Sequence, residues 1–176
     1  MSMRVMLSKA VAQGLLCLVE PRMPSEPMIR FLYASKDVHD YITGPWTNKE
    51  DEFRCGKLWA DFDRFVEGGV IPVSLNHPHH KPQNTYLSRL HPAENEVWVI
   101  RSRAPKPGLR VFGRFAGRDC FVALRWRRRK ELGGADSEEF HNEMCCCKAV
   151  WRRIFPACDP LKGNNVDEYI SKALLI

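Results

Sequence analysis

Three short segments near the middle of the chain place arginine at alternating positions. They run from Glu96 to Arg103, from Leu109 to Phe115 and from Cys120 to Lys130. Side chains of a strand alternate between faces, so Arg101 and Arg103 share a face, as do Arg110 and Arg114, and Arg125 and Arg127. The opposite faces carry Trp98 and Ile100, then Val111 and Phe115, then Val122 and Leu124, which suit packing against helices. The joins, residues 104–108 and the turn around Gly117 to Asp119, are too short for a crossover. The segments therefore predict an antiparallel meander with one strongly cationic face.

Charge follows that meander. The chain of 176 residues has a formal net charge of +6, but nine arginines, one lysine and one acid fall between Arg101 and Arg129. So dense a cationic face suits a polyanionic partner, and RNA is the best match. The length and a hydrophobic content of 44% allow one domain with its own core. Its seven cysteines are odd in number, and Cys145, Cys146 and Cys147 are adjacent, so reduced thiols in a cytoplasmic protein are expected rather than a disulfide framework. No stretch approaches the roughly 20 apolar residues of a membrane span, and no membrane association is expected.

Around the meander, residues 1–27 are predicted to be an N-terminal extension, open to disorder, that ends in a joint of Pro21, Pro24 and Pro27. Residues 28–34 suit a first strand and residues 35–43 a short helix stopped by Gly44 and Pro45. Thr47 followed by Glu50 has the spacing of a capping box, and Leu58, Phe62, Phe65 and Val66 then recur at helical spacing until Gly68 and Gly69. Residues 70–94 are predicted to be a long polar connection. His77, His79 and His80 within it lack carboxylate or cysteine partners at metal-ligand spacing, so no metal site is expected. After the meander, Asp136 or Ser137 can cap a helix whose apolar face is Phe140, Met144, Cys147, Trp151 and Ile154. A short helix is predicted around residues 166–174.

The order strand, helices, three-stranded meander, helix resembles the RelE/ParE toxin superfamily, the small RNases and gyrase poisons of type II toxin–antitoxin systems. The resemblance sits in Val99-Ile100-Arg101, in Leu109-Arg110-Val111-Phe112, and in Phe121 to Leu124 followed by Arg125, Arg127 and Arg128. It covers residues 95–130 by motif and 28–155 by element order. It implies an α+β fold, a RelE-like domain over residues 28–176. An antiparallel three- to four-stranded sheet would pack against N-terminal helices and a C-terminal helix. It further implies a toxin-like endoribonuclease that cleaves mRNA, including mRNA on the ribosome, with a small acidic antitoxin as partner. By that resemblance Arg110 and Arg128 would hold the scissile phosphate. Val97 and Val99 stand where the family often has lysines, and the family's tyrosine after the third strand has no counterpart.

Such cleavage needs neither metal nor organic cofactor. The 2′-hydroxyl attacks, charge builds on the phosphate, and guanidinium forks already in place stabilise it. His91 and His141 are the candidates for proton transfer. Arg101, Arg103, Arg114, Arg125 and Arg127 would hold the RNA backbone by charge. Two other readings fit the same residues: a ParE-like toxin that binds gyrase, and a non-catalytic RNA-binding protein.

Overall fold

The computed structural model describes residues 2–75 and 82–176. His77, His79 and His80 lie outside the described residues. An eight-stranded mixed sheet forms the middle of the molecule, ordered β1-β2-β7-β6-β5-β4-β3-β8. The strands are β1 (Leu16–Leu18), β2 (Phe31–Ser35), β3 (Ile71–Ser74), β4 (Leu87–Arg89), β5 (Trp98–Ser102), β6 (Leu109–Gly117), β7 (Cys120–Arg128) and β8 (Ala173–Leu175). The helices are α1 (Met3–Ala12), α2 (Lys36–Thr43), α3 (Lys49–Val66), α4 (Glu138–Ile154) and α5 (Val166–Tyr169).

The expected small antiparallel RelE-like sheet is thus corrected to a mixed α/β sheet. β5, β6 and β7 form the antiparallel meander, but β2 runs parallel to β7, and β3 runs parallel to both β4 and β8. The enlargement comes from segments predicted to lie outside the sheet. Within residues 1–27, α1 and the edge strand β1 form, and β1 pairs with β2. The 70–94 connection supplies β3 and β4, and the tail supplies β8 beyond the short α5.

Both faces are covered. One core gathers Val38 and Ile42 of α2, Leu58, Phe62 and Phe65 of α3, and Tyr169 of α5 against Trp98, Ile100, Val111 and Phe115. Burial of each large apolar side chain here contributes about 1.5–3 kcal/mol. The other core sets Leu7 and Ala10 of α1 and Phe140, Met144, Cys147 and Trp151 of α4 against Val97, Val99, Phe112, Val122 and Leu124. The arginine-bearing face is therefore not an open sheet surface but is partly roofed by α4.

Local chemistry sets the helix ends. Asn48, rather than Thr47, caps α3: its side chain accepts from the Asp51 amide at 2.8 Å. Ser137 caps α4 by accepting from the Phe140 amide at 3.3 Å, with Glu138 and Glu139 at the positive end of the helix. Gly68 follows α3 with a φ of 75°, a conformation that an L side chain rarely adopts.

A bulge corrects the predicted facing of β7. Phe112 pairs with Arg125, but Gly113 pairs with Ala123, which leaves Leu124 as the extra residue. Val122 and Leu124 therefore join the arginine face and its core, while Phe121 and Ala123 take the other. Gly113 permits this, because a Cβ there would collide with the Val122 carbonyl oxygen and the Phe121 ring.

Candidate anion-binding site

Strand register puts Arg101, Arg110 and Arg127 in one row on one face, since Arg110 is the direct partner of both others. Like charges placed opposite in a sheet repel, so the neutralising groups decide what the row can do. Glu143 of α4 is buried over the face. Its carboxylate takes Arg127 at 2.6 Å and Arg125 at 3.4 Å, and Arg125 also reaches Asp37 at 3.3 Å. These two arginines are held as internal ion pairs.

Arg128 is on the opposite face. It pairs in register with Leu109, whose side chain lies in the core under α3. Its Nη2 contacts both Asp51 oxygens, at 2.7 and 2.6 Å, and Glu131 lies at 3.7 Å. The hydrogen bond with Asp51 raises the Arg128 pKa. Burial alone would push Asp51 up, but the hydrogen bonds from Arg128 and Asn48 outweigh it and hold its carboxyl below the usual range. Arg110 and Arg128 do not converge on one ligand, and the pairing that the resemblance implied is corrected here. The reason is elementary: the register sets Arg110 opposite Arg127, so Arg128, one residue on, points to the other side of the sheet.

Arg114 shares the face of Arg110 but lies further along the strand. It donates to the carbonyls of Asn95 at 2.6 Å and Glu96 at 3.3 Å and stacks over Trp151. His141 is on the exposed side of α4, 3.6 Å from Cys145.

What remains is a cluster of Arg101, Arg110 and Arg129, with Arg103 alongside. Among the described residues, none of these four forms an ion pair with a carboxylate within 4.0 Å. Arg110 is 8% exposed and, among the described residues, donates only to its neighbour's carbonyl, that of Leu109 at 2.9 Å. The Nη1 of Arg101 is buried and has no hydrogen-bond partner among the described residues. Arg129 donates to the Leu132 and Gly133 carbonyls and lies over Phe140. Arg103 donates to the Thr85 carbonyl at 2.8 Å. Burial, and then the charges of Arg101, Arg129 and Arg103, pushes Arg110 down to about 9. Burial, followed by Arg103 and Arg129, also lowers Arg101.

Two adjoining pockets share these guanidiniums. The inner one, about 140 Å³, is bounded by Arg101, Arg110, Arg129, Ser88 and His91 on its polar side and by an apolar wall of Leu90, Val99, Phe140 and Met144. The outer one, about 510 Å³, adds Arg103, Lys106 and Gln83. Of the four predicted catalytic residues, Arg110 and His91 thus meet in one pocket, while Arg128 and His141 lie elsewhere. Of the predicted backbone-binding arginines, Arg101 and Arg103 belong to the site. Arg129, Lys106 and Ser88 were missed. Arg129 was within reach, because it extends the alternation of Arg125 and Arg127 by one more step.

Comparison with known proteins finds no matching family model, no similar curated protein and no similar solved structure. Among the described residues, no helix is long and apolar enough to cross a membrane, and no group of three or more His, Cys, Asp or Glu side chains is placed to hold a metal ion.

Proposed function

We propose that the chain binds single-stranded RNA, with backbone phosphate held by Arg101, Arg110 and Arg129 and neighbouring phosphates met by Arg103 and Lys106. One observation carries this reading: Arg101, Arg110 and Arg129 are partly buried, mutually repulsive and, among the described residues, without a carboxylate in ion-pair reach, while Asp61 acts on Arg103 at their edge. Such a cluster costs stability unless an anion enters it. Arginine suits phosphate because its planar fork offers parallel donors and stays charged near neutral pH. The inner pocket is narrow and recessed, which favours a flexible single strand over the stiff backbone of a duplex.

A second reading, cleavage of the bound strand, is favoured by His91, which lines the same pocket. One histidine beside a clamped phosphate supplies a single proton-transfer group, whereas 2′-hydroxyl attack and leaving-group release call for two transfers. Binding is therefore the better-supported function.

The test is anisotropy of a labelled single-stranded RNA across a salt series. With three to five phosphates engaged, log affinity should fall with log salt at a slope of about −2 to −3.5. Arg101→Ala and Arg110→Met should weaken binding and flatten that slope. Affinity unchanged by both substitutions would refute the reading. RNA ends carrying 2′,3′-cyclic phosphate after incubation in chelator, absent with His91→Ala, would establish the cleavage reading instead.

A further inference from the structure

We propose that the inner pocket takes one pyrimidine base of the bound strand, whose phosphate rests on the guanidiniums at the pocket mouth. This rests on the RNA-binding reading and adds a sequence preference to it.

Size is the first argument. The pocket holds about 140 Å³. A cavity of about 150 Å³ accepts benzene, a single six-membered ring. A pyrimidine has one such ring, and the fused second ring of a purine would not fit. The volume is also well below the roughly 300–1,000 Å³ of sites that take larger ligands.

The lining is the second argument. Leu90, Val99, Phe140 and Met144 make a mostly buried apolar wall, with the Phe140 ring and the soft Met144 thioether suited to a flat partner. Arg129 lies over the same Phe140 ring, 5.9 Å from its centroid, and so joins the cationic mouth to the apolar wall. A ligand that satisfies both must carry an anion next to a flat ring.

A polar group deep in the wall is the third. Ser88 is 1% exposed, and its Oγ has no hydrogen-bond partner among the described residues. It pairs in register with Val99, so both side chains share the pocket face. A buried hydroxyl without a partner is costly. A base edge supplies donors and acceptors that a hydrocarbon ring lacks, and one hydroxyl can serve either uracil or cytosine because it both donates and accepts.

The experiment compares labelled oligouridylate, oligocytidylate and oligoadenylate of equal length at one salt concentration. Wild-type protein should bind at least one pyrimidine strand about tenfold more tightly than the adenylate, a difference within what one seated base supplies. Ala135→Phe, which fills the pocket from a turn at its rim, should remove the preference while leaving adenylate affinity unchanged. Ser88→Ala, which deletes only the hydroxyl, should reduce the preference several-fold and serves if Ala135→Phe fails to fold. Equal affinity for all three strands overturns the inference, as does a preference that survives the folded variants. Those outcomes, with Arg101→Ala still weakening every strand, would leave RNA binding standing. Arg101→Ala and Arg110→Met without effect on any strand would overturn the functional reading itself.

Discussion

Arg101 and Arg110 stand directly opposite each other across the β5–β6 pairing, and neither forms an ion pair with a carboxylate among the described residues. Facing like charges in a sheet destabilise by an amount comparable to a good cross-strand pair, about 0.2–1 kcal/mol, and burial adds to that cost. The same sheet neutralises Arg125, Arg127 and Arg128 with Glu143, Asp37 and Asp51. Acids are thus present on both faces but stop short of this one pair.

Replacing Arg110 should separate stability from binding. Arg110→Met keeps the aliphatic stem and removes a buried charge, so the melting temperature should hold or rise by about 2–4 °C, the equivalent of about 1 kcal/mol for a chain of this size. RNA affinity should fall at least tenfold. Thermal unfolding and anisotropy on the same preparation check both, and a melting temperature several degrees lower would contradict the account.

The pH dependence has an unusual sign. Burial and the neighbouring guanidiniums lower the folded-state pKa of Arg110 to about 9, well below the usual arginine range. Below pH 9 the residue is charged in both states and its burial cost is fully present. As pH rises above 9 the folded chain sheds that proton while the unfolded chain keeps it, so this residue's contribution to stability rises with pH. The stability gap between Arg110→Met and wild type should therefore be largest below pH 9 and narrow above it. RNA affinity of the wild type should fall over the same window. Chemical denaturation from pH 7 to 10.5 measures the first and anisotropy the second.

Small oxyanions should stabilise the protein through the same cluster. Phosphate or sulfate, compared with chloride at equal ionic strength, should raise the melting temperature of the wild type. An anion at 100 times its dissociation constant contributes about 2.7 kcal/mol. The double substitution Arg101→Met with Arg110→Met should abolish the difference between salts. An undiminished response in the double variant would place the anion elsewhere.

Glu143 restrains the rest of the row. Glu143→Gln preserves shape but removes the charge shared by Arg125 and Arg127. Folding stability should fall by about 1–3 kcal/mol, while RNA binding becomes tighter and more salt-sensitive. Two released guanidiniums, at about 0.7 each, steepen the slope by about 1.4. A slope that stays constant would show that Arg125 and Arg127 remain unable to reach the strand.

Alternation alone made the meander legible, together with its pairing and the shared face of Arg101 and Arg110. It also separated Arg128 from Arg127, but the family resemblance argued for the opposite assignment, and the simple parity rule was right. β3 and β4 were hidden because β4 has three residues and β3 contains Pro72, a residue that argues against a strand. The roof over the arginine face was half visible: the apolar stripe of α4 was readable, but the reach of Glu143 to β7 depends on how the helix lies on the sheet. Ser88 carried no signal, because an unsatisfied hydroxyl exists only once its neighbours are in place.

The extra residue in β7 also fixes which arginines of the run from 125 to 129 point where. Everything after Leu124 is held one step out of phase with what precedes it. Were the bulge ironed out with Leu124 kept, Leu124 would pair with Phe112 and each later residue would take the opposite face. Arg128 would then turn to the side of Arg110, and Arg127 to the side of Asp51. One unpaired residue thus assigns the open and the ion-paired positions of the run without altering one arginine.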